Sequence, residues 1–416
     1  MKYKTYNCNS FNVHTIKTDK FKTSHVEVIF RDIANKDEMG AYSFLADMLS
    51  QSSKTYPRKK DLITRFEELY KIIVYATTLR VGNVLDFHVS LDFINPDYIN
   101  DKNYVEEVIK TLFDIIENPN VTNDEFDLKT FNIVKERLRR EINSLKENPV
   151  KQSIKEAIKT MDSNSPTSYE ILGTIEELEN ITPAKLYNAY KSLRKNFKVD
   201  VFLIGNLDMD NVASLIKKYF KNRYIVSDNF EVMVDNKETK KVKEKTMKSD
   251  NIQTNLVMLF NLKNLSELEK NITLNCFNYL YGSGGLTSKL YKSIREENSL
   301  CYAINSMYLK YDKLLMVQIS LDNCNVKKAI SLVKKELKSM QNGNFSEEEV
   351  RDAINNMVIS LDMSLDNNIA ILNNYVFNIY DKLPSIEERK EYFKKLTKED
   401  IVNVSKKVKL NTIFTL

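Results

Sequence analysis

The chain has no tryptophan, only three histidines and four cysteines, and just seven prolines and eight glycines among its 416 residues. The histidine shortage excludes most imidazole chemistry: no His-x-x-Glu-His occurs, and besides His14 there are only His25 and His88, which lie inside strand patterns where a packed ring is the ordinary state. Cys8, Cys276, Cys301 and Cys324 form no CxxC pair or metal spacing, so free thiols are expected. A Gly-x-Ser-x-Gly elbow is absent, as is a Gly-Lys-Ser/Thr unit that would close a phosphate loop. No apolar run approaches the roughly 20 residues of a membrane span. The opening Met1-Lys-Tyr-Lys-Thr-Tyr lacks the apolar core of a secretory signal, which predicts a cytoplasmic protein. The net charge of +5, from 62 basic and 57 acidic residues spread along the chain, argues against nucleic acid as a partner.

What is present is a globular composition, 42% hydrophobic and 29% charged, long enough for more than one domain. Alternation over residues 21–33 predicts a strand, followed by a helix carrying Met39, Phe44, Leu45, Met48 and Leu49. A second helix is expected near 59–70, and Ile72 to Phe93 reads as a strand pair broken around Gly82-Asn83. Long helices are expected over about 102–117 and 123–147, the second opening at Thr122-Asn-Asp-Glu125. A helix from Pro183, a strand Val199 to Ile204 and a helix near 208–220 complete the first half.

The second half repeats this order. Asn118-Pro-Asn-Val-Thr-Asn-Asp-Glu-Phe126 is matched by Asn342-Gly-Asn-Phe-Ser-Glu-Glu-Glu-Val350. Tyr75-Ala76 with Val89-Ser-Leu-Asp92 is matched by Tyr302-Ala303 with Ile319-Ser-Leu-Asp322, and Ile181-Thr-Pro-Ala-Lys-Leu186 by Leu396-Thr-Lys-Glu-Asp-Ile401. Three matches in one order, offset by 215 to 230 residues, point to a duplicated domain. The predicted division is a domain over 1–221, a linker over 222–250 whose charge-rich run Lys237 to Lys248 has no apolar period, and a domain over 251–416.

Three of the eight glycines, Gly282, Gly284 and Gly285, fall within four positions, which marks a tight backbone requirement. Behind them Leu286, Leu290 and Ile294 recur every fourth residue, predicting a short helix with a buried stripe and Arg295 near its end. A strand opens at Tyr302, seven residues after Arg295.

This combination resembles the M16 family of zinc metallopeptidases, which includes pitrilysin, insulysin and the mitochondrial processing peptidase. The likeness covers nearly the whole chain. It includes Gly173-Thr-Ile-Glu-Glu-Leu-Glu-Asn-Ile181, the strand end Ile204-Gly-Asn-Leu-Asp208, and Arg295 and Tyr302 at the family's spacing. The resemblance implies an α+β fold of sandwich type, with two homologous domains of the LuxS and processing-peptidase kind, each an antiparallel-rich mixed sheet packed with helices.

The resemblance fails at the family's catalytic motif. Where family peptidases place His-x-x-Glu-His on their first helix, this chain aligns Ser43, Ala46 and Asp47, and only Glu141 resembles the third zinc ligand. Carboxylates without imidazole make a poor zinc site. Neither metal nor cofactor is therefore expected here, and no catalytic residue. The chain looks like the zinc-free partners of bacterial pairs, the YmfF- and AlbF-like chains. Such a chain would not be an enzyme alone but the non-catalytic half of a heterodimer whose other chain holds zinc. The resemblance then implies peptide binding by Arg295, Tyr302 and the Gly282, Gly284 and Gly285 segment. The alternative is a scaffold or peptide-binding homodimer with no part in proteolysis.

Overall fold

The computed structural model describes residues 1–221, 230–249 and 252–416, so residues 222–229 and 250 of the expected linker lie outside the described residues. Two compact units result. One comprises Met1–Asn143, Tyr169–Val232 and Asn367–Tyr380, and the other Ser144–Ser168, Met233–Asp366 and Asp381–Leu416. The units thus depart from a division at 222–250, because each half of the chain lends a helical segment to the unit built mainly by the other. In its described part the expected linker is not free chain. Val232 and Val234 are buried, and Lys243–Thr246 forms an edge strand.

In the first unit the strands are β1 (Lys2–Asn7), β2 (Phe11–Lys17), β3 (Thr23–Ile33), β4 (Ile73–Val81) and β5 (Val84–Ile94), then a two-residue hairpin of β6 (Val121–Thr122) and β7 (Glu125–Phe126), and β8 (Lys198–Gly205). The second unit holds β9 (Lys243–Thr246), β10 (Thr254–Leu262), β11 (Cys301–Leu309), β12 (Leu314–Leu321) and β13 (Val408–Thr415). The large sheets have the orders β1-β2-β8-β3-β5-β4 and β11-β12-β10-β13-β9. Read from the same end, β8-β3-β5-β4 and β13-β10-β12-β11 are one topology. The next strand outward, β2 or β9, is parallel to its neighbour in both, while the four shared strands are antiparallel. The duplication is therefore structural, and the sheets are antiparallel-rich and mixed.

Period-two burial makes one face of each sheet a core. Val26, Val28 and Phe30 on β3 pack with Phe87, Val89 and Leu91 on β5, beneath the helices Met39–Leu49 and Tyr104–Glu117. Leu256, Met258 and Phe260 on β10 do the same with Val317 and Ile319 on β12, beneath the helix Val326–Gln341. The opposite faces differ. In the second unit that face is apolar, with Val257, Leu259, Met316 and Phe414 covered by Ala157 and Met161 of the helix Pro149–Asp162. In the first unit it is charged. Arg31 pairs with Asp200, and His88 bonds Glu27 (2.7 Å). The helix Asn368–Val376 packs on β8 and β3, and the Tyr380 hydroxyl donates to Asp86.

Two predicted boundaries move. The helix expected to open at Thr122 starts at Leu128, because Asn123 and Asp124 take left-handed conformations (φ 53° and 61°) and turn β6 into β7. Asn and Asp tolerate that region, which serves a hairpin here. The matching segment in the second half does cap a helix: Ser346 accepts from the Glu349 amide (3.0 Å) while the Glu349 carboxylate accepts from the Ser346 amide (2.8 Å). The second change concerns Leu286, which is 64% exposed in a turn rather than on a buried helical stripe. The three residues after Gly284 are consumed by that turn, and only Leu290 and Ile294 are buried.

Candidate functional site

The glycine cluster ends a helical stretch from Glu269 to Ser283. Tyr281 is fully buried, donates to the Val333 carbonyl (3.0 Å), and its hydroxyl is pushed far up by burial. Gly282 is buried beside it: a Cβ there would lie 2.6 Å from Ser306 Oγ and 2.9 Å from Leu290 Cδ1, so a side chain would push the helix off β11. At Gly284 a Cβ would meet the Tyr279 carbonyl oxygen at 2.6 Å. Gly285 stands in open space with φ +61°, a backbone that only glycine adopts cheaply. Of the three, Gly282 is therefore spent on packing, and Gly285 is the exposed one.

Beyond the turn the chain is wound in wide i to i−5 turns over Tyr291–Glu296, with the Glu297 amide bonded to the Lys292 carbonyl (2.9 Å). Such local widening recurs at functional sites. It leaves Ile294 buried and Arg295 exposed, with the guanidinium resting 5.2 Å from the Tyr291 ring centre. This segment packs against β11.

Tyr302 stands at the head of β11, the outer strand of its sheet. Cys301 faces Leu321 and Ala303 faces Ser320, so Tyr302 is an extra residue in a bulge. Bulges of this kind re-aim a side chain at a sheet edge. Tyr302 is 55% exposed, and its hydroxyl reaches only a long bond to Asp322 (3.4 Å). The Cys301 thiol is pushed up by burial, against which the Arg295 charge works. Arg295 thus lies on a segment packed against β11 and Tyr302 at the head of that strand, both accessible.

The degenerate motif lies on the helix Met39–Leu49. Ser43 is buried, sharing a hydrogen bond with Thr78 Oγ1 (2.6 Å) and donating to the Ile171 carbonyl (2.5 Å). Ala46 is buried in the core, and Asp47 pairs with Arg137 (2.7 Å). Glu141 is exposed one turn beyond Arg137 on the helix Leu128–Glu147. Among the described residues no group of three or more His, Cys, Asp or Glu side chains could hold a metal ion. The zinc implied by the fold does not fit: of the two histidine positions one is a hydroxyl already used inside and the other a carboxylate taken by a guanidinium, and a methyl stands at the position of the water-activating glutamate. Arg137 was not among the residues singled out from the sequence. Its position one turn before Glu141 was the available signal.

Residues 180–357 match the family described as the peptidase M16 inactive domain. The chain resembles that domain over less than half of its length. It is homologous to a probable inactive metalloprotease, YmfF, of Bacillus subtilis, with 26% identity over 412 residues, 97% of this chain and 95% of that one. A shorter match, 27% identical over 114 residues and covering 27% of this chain and 26% of the relative, is to an uncharacterized zinc protease of the same organism, YmfH. A crystal structure of a conserved protein from Enterococcus faecalis superposes with a TM-score of 0.93 at 23% identity, covering 100% of this chain and 98% of that one, which shows the shared fold. The chain thus shares the fold of these relatives, while its helix Met39–Leu49 carries Ser43, Ala46 and Asp47. No helix among the described residues is long and apolar enough to cross a membrane.

Proposed function

We propose that the chain is the non-catalytic subunit of a two-chain M16 peptidase, presenting Arg295 and Tyr302 to a peptide held at the zinc of a partner chain, in the cytoplasm. One observation carries the reading: an accessible Tyr at the bulged head of an edge strand and an accessible Arg on the segment packed against that strand, in a chain whose own motif positions are filled by a buried hydroxyl, a methyl and an ion-paired carboxylate. A guanidinium holds a peptide carbonyl or carboxylate by charge-assisted bonds, and a phenol donates to a developing oxyanion. β11 suits an extended peptide because the outer side of an edge strand offers unpaired amide and carbonyl groups. The homology to an inactive metalloprotease, and the local match to a zinc protease, support a division of labour between two related chains.

The test is assembly. The isolated chain is expected to bind no zinc and hydrolyse no peptide, and to form a stable complex with a zinc-bearing M16 chain encoded beside it. A chain that hydrolyses peptides alone, or stays indifferent to that chain in sizing experiments, contradicts the reading. The second reading, a peptide-binding homodimer, is favoured by the exposed apolar stripe Ile73, Tyr75 and Leu79 on outer strand β4, and the same sizing experiment detects it.

A further inference from the structure

The misfit of zinc goes beyond missing ligands, and it stands independently of the peptide-binding reading. We infer that the vacated metal position of this chain is held by its own cations, with Arg137 as the resident charge, so that a divalent ion is excluded rather than merely unsupported.

Asp47 stands where the second histidine of the motif would be, and its carboxylate is engaged by the Arg137 guanidinium at 2.7 Å. Arg137 comes from the same helix as Glu141, four residues earlier. Residues at that spacing share a helix face, so the guanidinium arrives from the side that a third ligand would use. A second cation is close. Lys59 donates to the Ser50 carbonyl (2.6 Å), and its ammonium is weakened first by burial and then by the Arg137 charge, with Asp47 opposing both. The Asp47 carboxylate therefore has two cations beside it.

Stability does not explain the ion pair. The Arg137 side chain is 48% exposed and that of Asp47 27%. Pairs this open contribute little to folding. Their effect on an incoming ion is larger. At the dielectric of a protein surface, a unit charge pair at contact distance changes an equilibrium constant by about tenfold or more, and a dication doubles the interaction. Ser43 adds to the exclusion, since its hydroxyl is turned inward to Thr78 and Ile171 and is not offered to an ion.

The experiment rebuilds the motif with and without the cation. Ser43→His, Ala46→Glu and Asp47→His are combined, alone and with Arg137→Gln, and Co²⁺ binding is followed by visible absorption after circular dichroism has established folding. The fourfold variant is expected to bind Co²⁺ at least tenfold more tightly than the threefold one. Equal affinities, or binding by neither, overturn the inference. Because Ser43→His disturbs a buried site, Arg137→Glu in the otherwise native chain provides a second arm. Mn²⁺ is expected to raise the melting temperature of that variant and leave the native chain unchanged. A native chain that responds, or a variant that does not, counts equally against the inference.

Discussion

Ala303, not Tyr302, stands opposite Ser320 across the β11–β12 pair, so Tyr302 is the residue the bulge inserts. In the first unit the corresponding serine, Ser90, faces Tyr75 in an unbroken register. The tyrosines that align in sequence are therefore one step apart in structure, and only Tyr302 is thrown outward by a bulge. Deleting Tyr302 is expected to restore an unbroken ladder without loss of the hairpin. Unfolding free energy should change by less than about 1 kcal/mol while activity of an assembled peptidase falls. Chemical denaturation and peptide hydrolysis measured side by side check this.

The glycines separate by cause. Gly282→Ala places a methyl 2.6 Å from Ser306 Oγ and 2.8 Å from its Cβ, overpacking a buried seam, with an expected loss of about 1–3 kcal/mol. Gly285→Ala meets nothing within 4 Å and bears only the cost of φ +61°, about 1 kcal/mol. Denaturant midpoints of the two variants should fall in that order.

His88 gives the first unit a pH dependence. Burial alone would lower its pKa, but the neighbouring Asp86 and Glu27 carboxylates carry it up from 6.5 to about 9. A cation favoured by folding stabilises fully below 6.5, and that stabilisation is lost as pH rises through about 9. Glu27 acts oppositely: burial would raise it, yet His88 holds it below its usual value of 4.5, so its contribution is present above that value and lost as pH falls beneath it. Stability should therefore be greatest between about pH 4.5 and 6.5 and decline from there toward pH 9 by up to about 1.4 kcal/mol per unit. His88→Gln should flatten the alkaline decline in denaturant melts taken across this range.

The charged face of the first sheet makes its covering segment the easier to loosen. His25 Nε2, Arg31 Nε, Asp86 Oδ1 and His88 Nε2 are buried there without a hydrogen-bond partner among the described residues. Removing the Tyr380 hydroxyl deprives Asp86 of a bond that helps offset its burial. Tyr380→Phe is expected to cost about 1–3 kcal/mol and to speed amide exchange across Asn367–Tyr380 selectively. Met161→Ala, in the apolar cover of the second sheet, should cost about 2–5 kcal/mol instead, without that local exchange. Hydrogen-exchange mass spectrometry distinguishes the two.

The duplication was legible because both halves keep the same helix-start and strand residues, such as Ile181-Thr-Pro and Leu396-Thr-Lys, whose threonines cap helices in both units. The α+β class followed from the family resemblance. What escaped were features set by long-range packing. Helix Pro149–Asp162 reads as an ordinary amphipathic helix, and nothing local says that its apolar stripe belongs on β10 and β13. Leu286 fits a fourfold spacing, yet Gly284 and Gly285 break the helix before the stripe begins. At the candidate site, Arg295 and Tyr302 were visible from spacing, whereas the bulge that exposes Tyr302 depends on pairing with β12. Arg137 was hidden for the same reason, since its partner Asp47 is distant in sequence.

We propose that this chain completes a site whose metal lies elsewhere. The direct measurement is peptide hydrolysis by the assembled pair, native and with Arg295→Ala plus Tyr302→Phe, at equal complex concentration confirmed by sizing. The double variant is expected to assemble normally, keep the partner's zinc, and lose about 10²-fold or more in kcat/KM. Undiminished hydrolysis by a fully assembled double variant would contradict it.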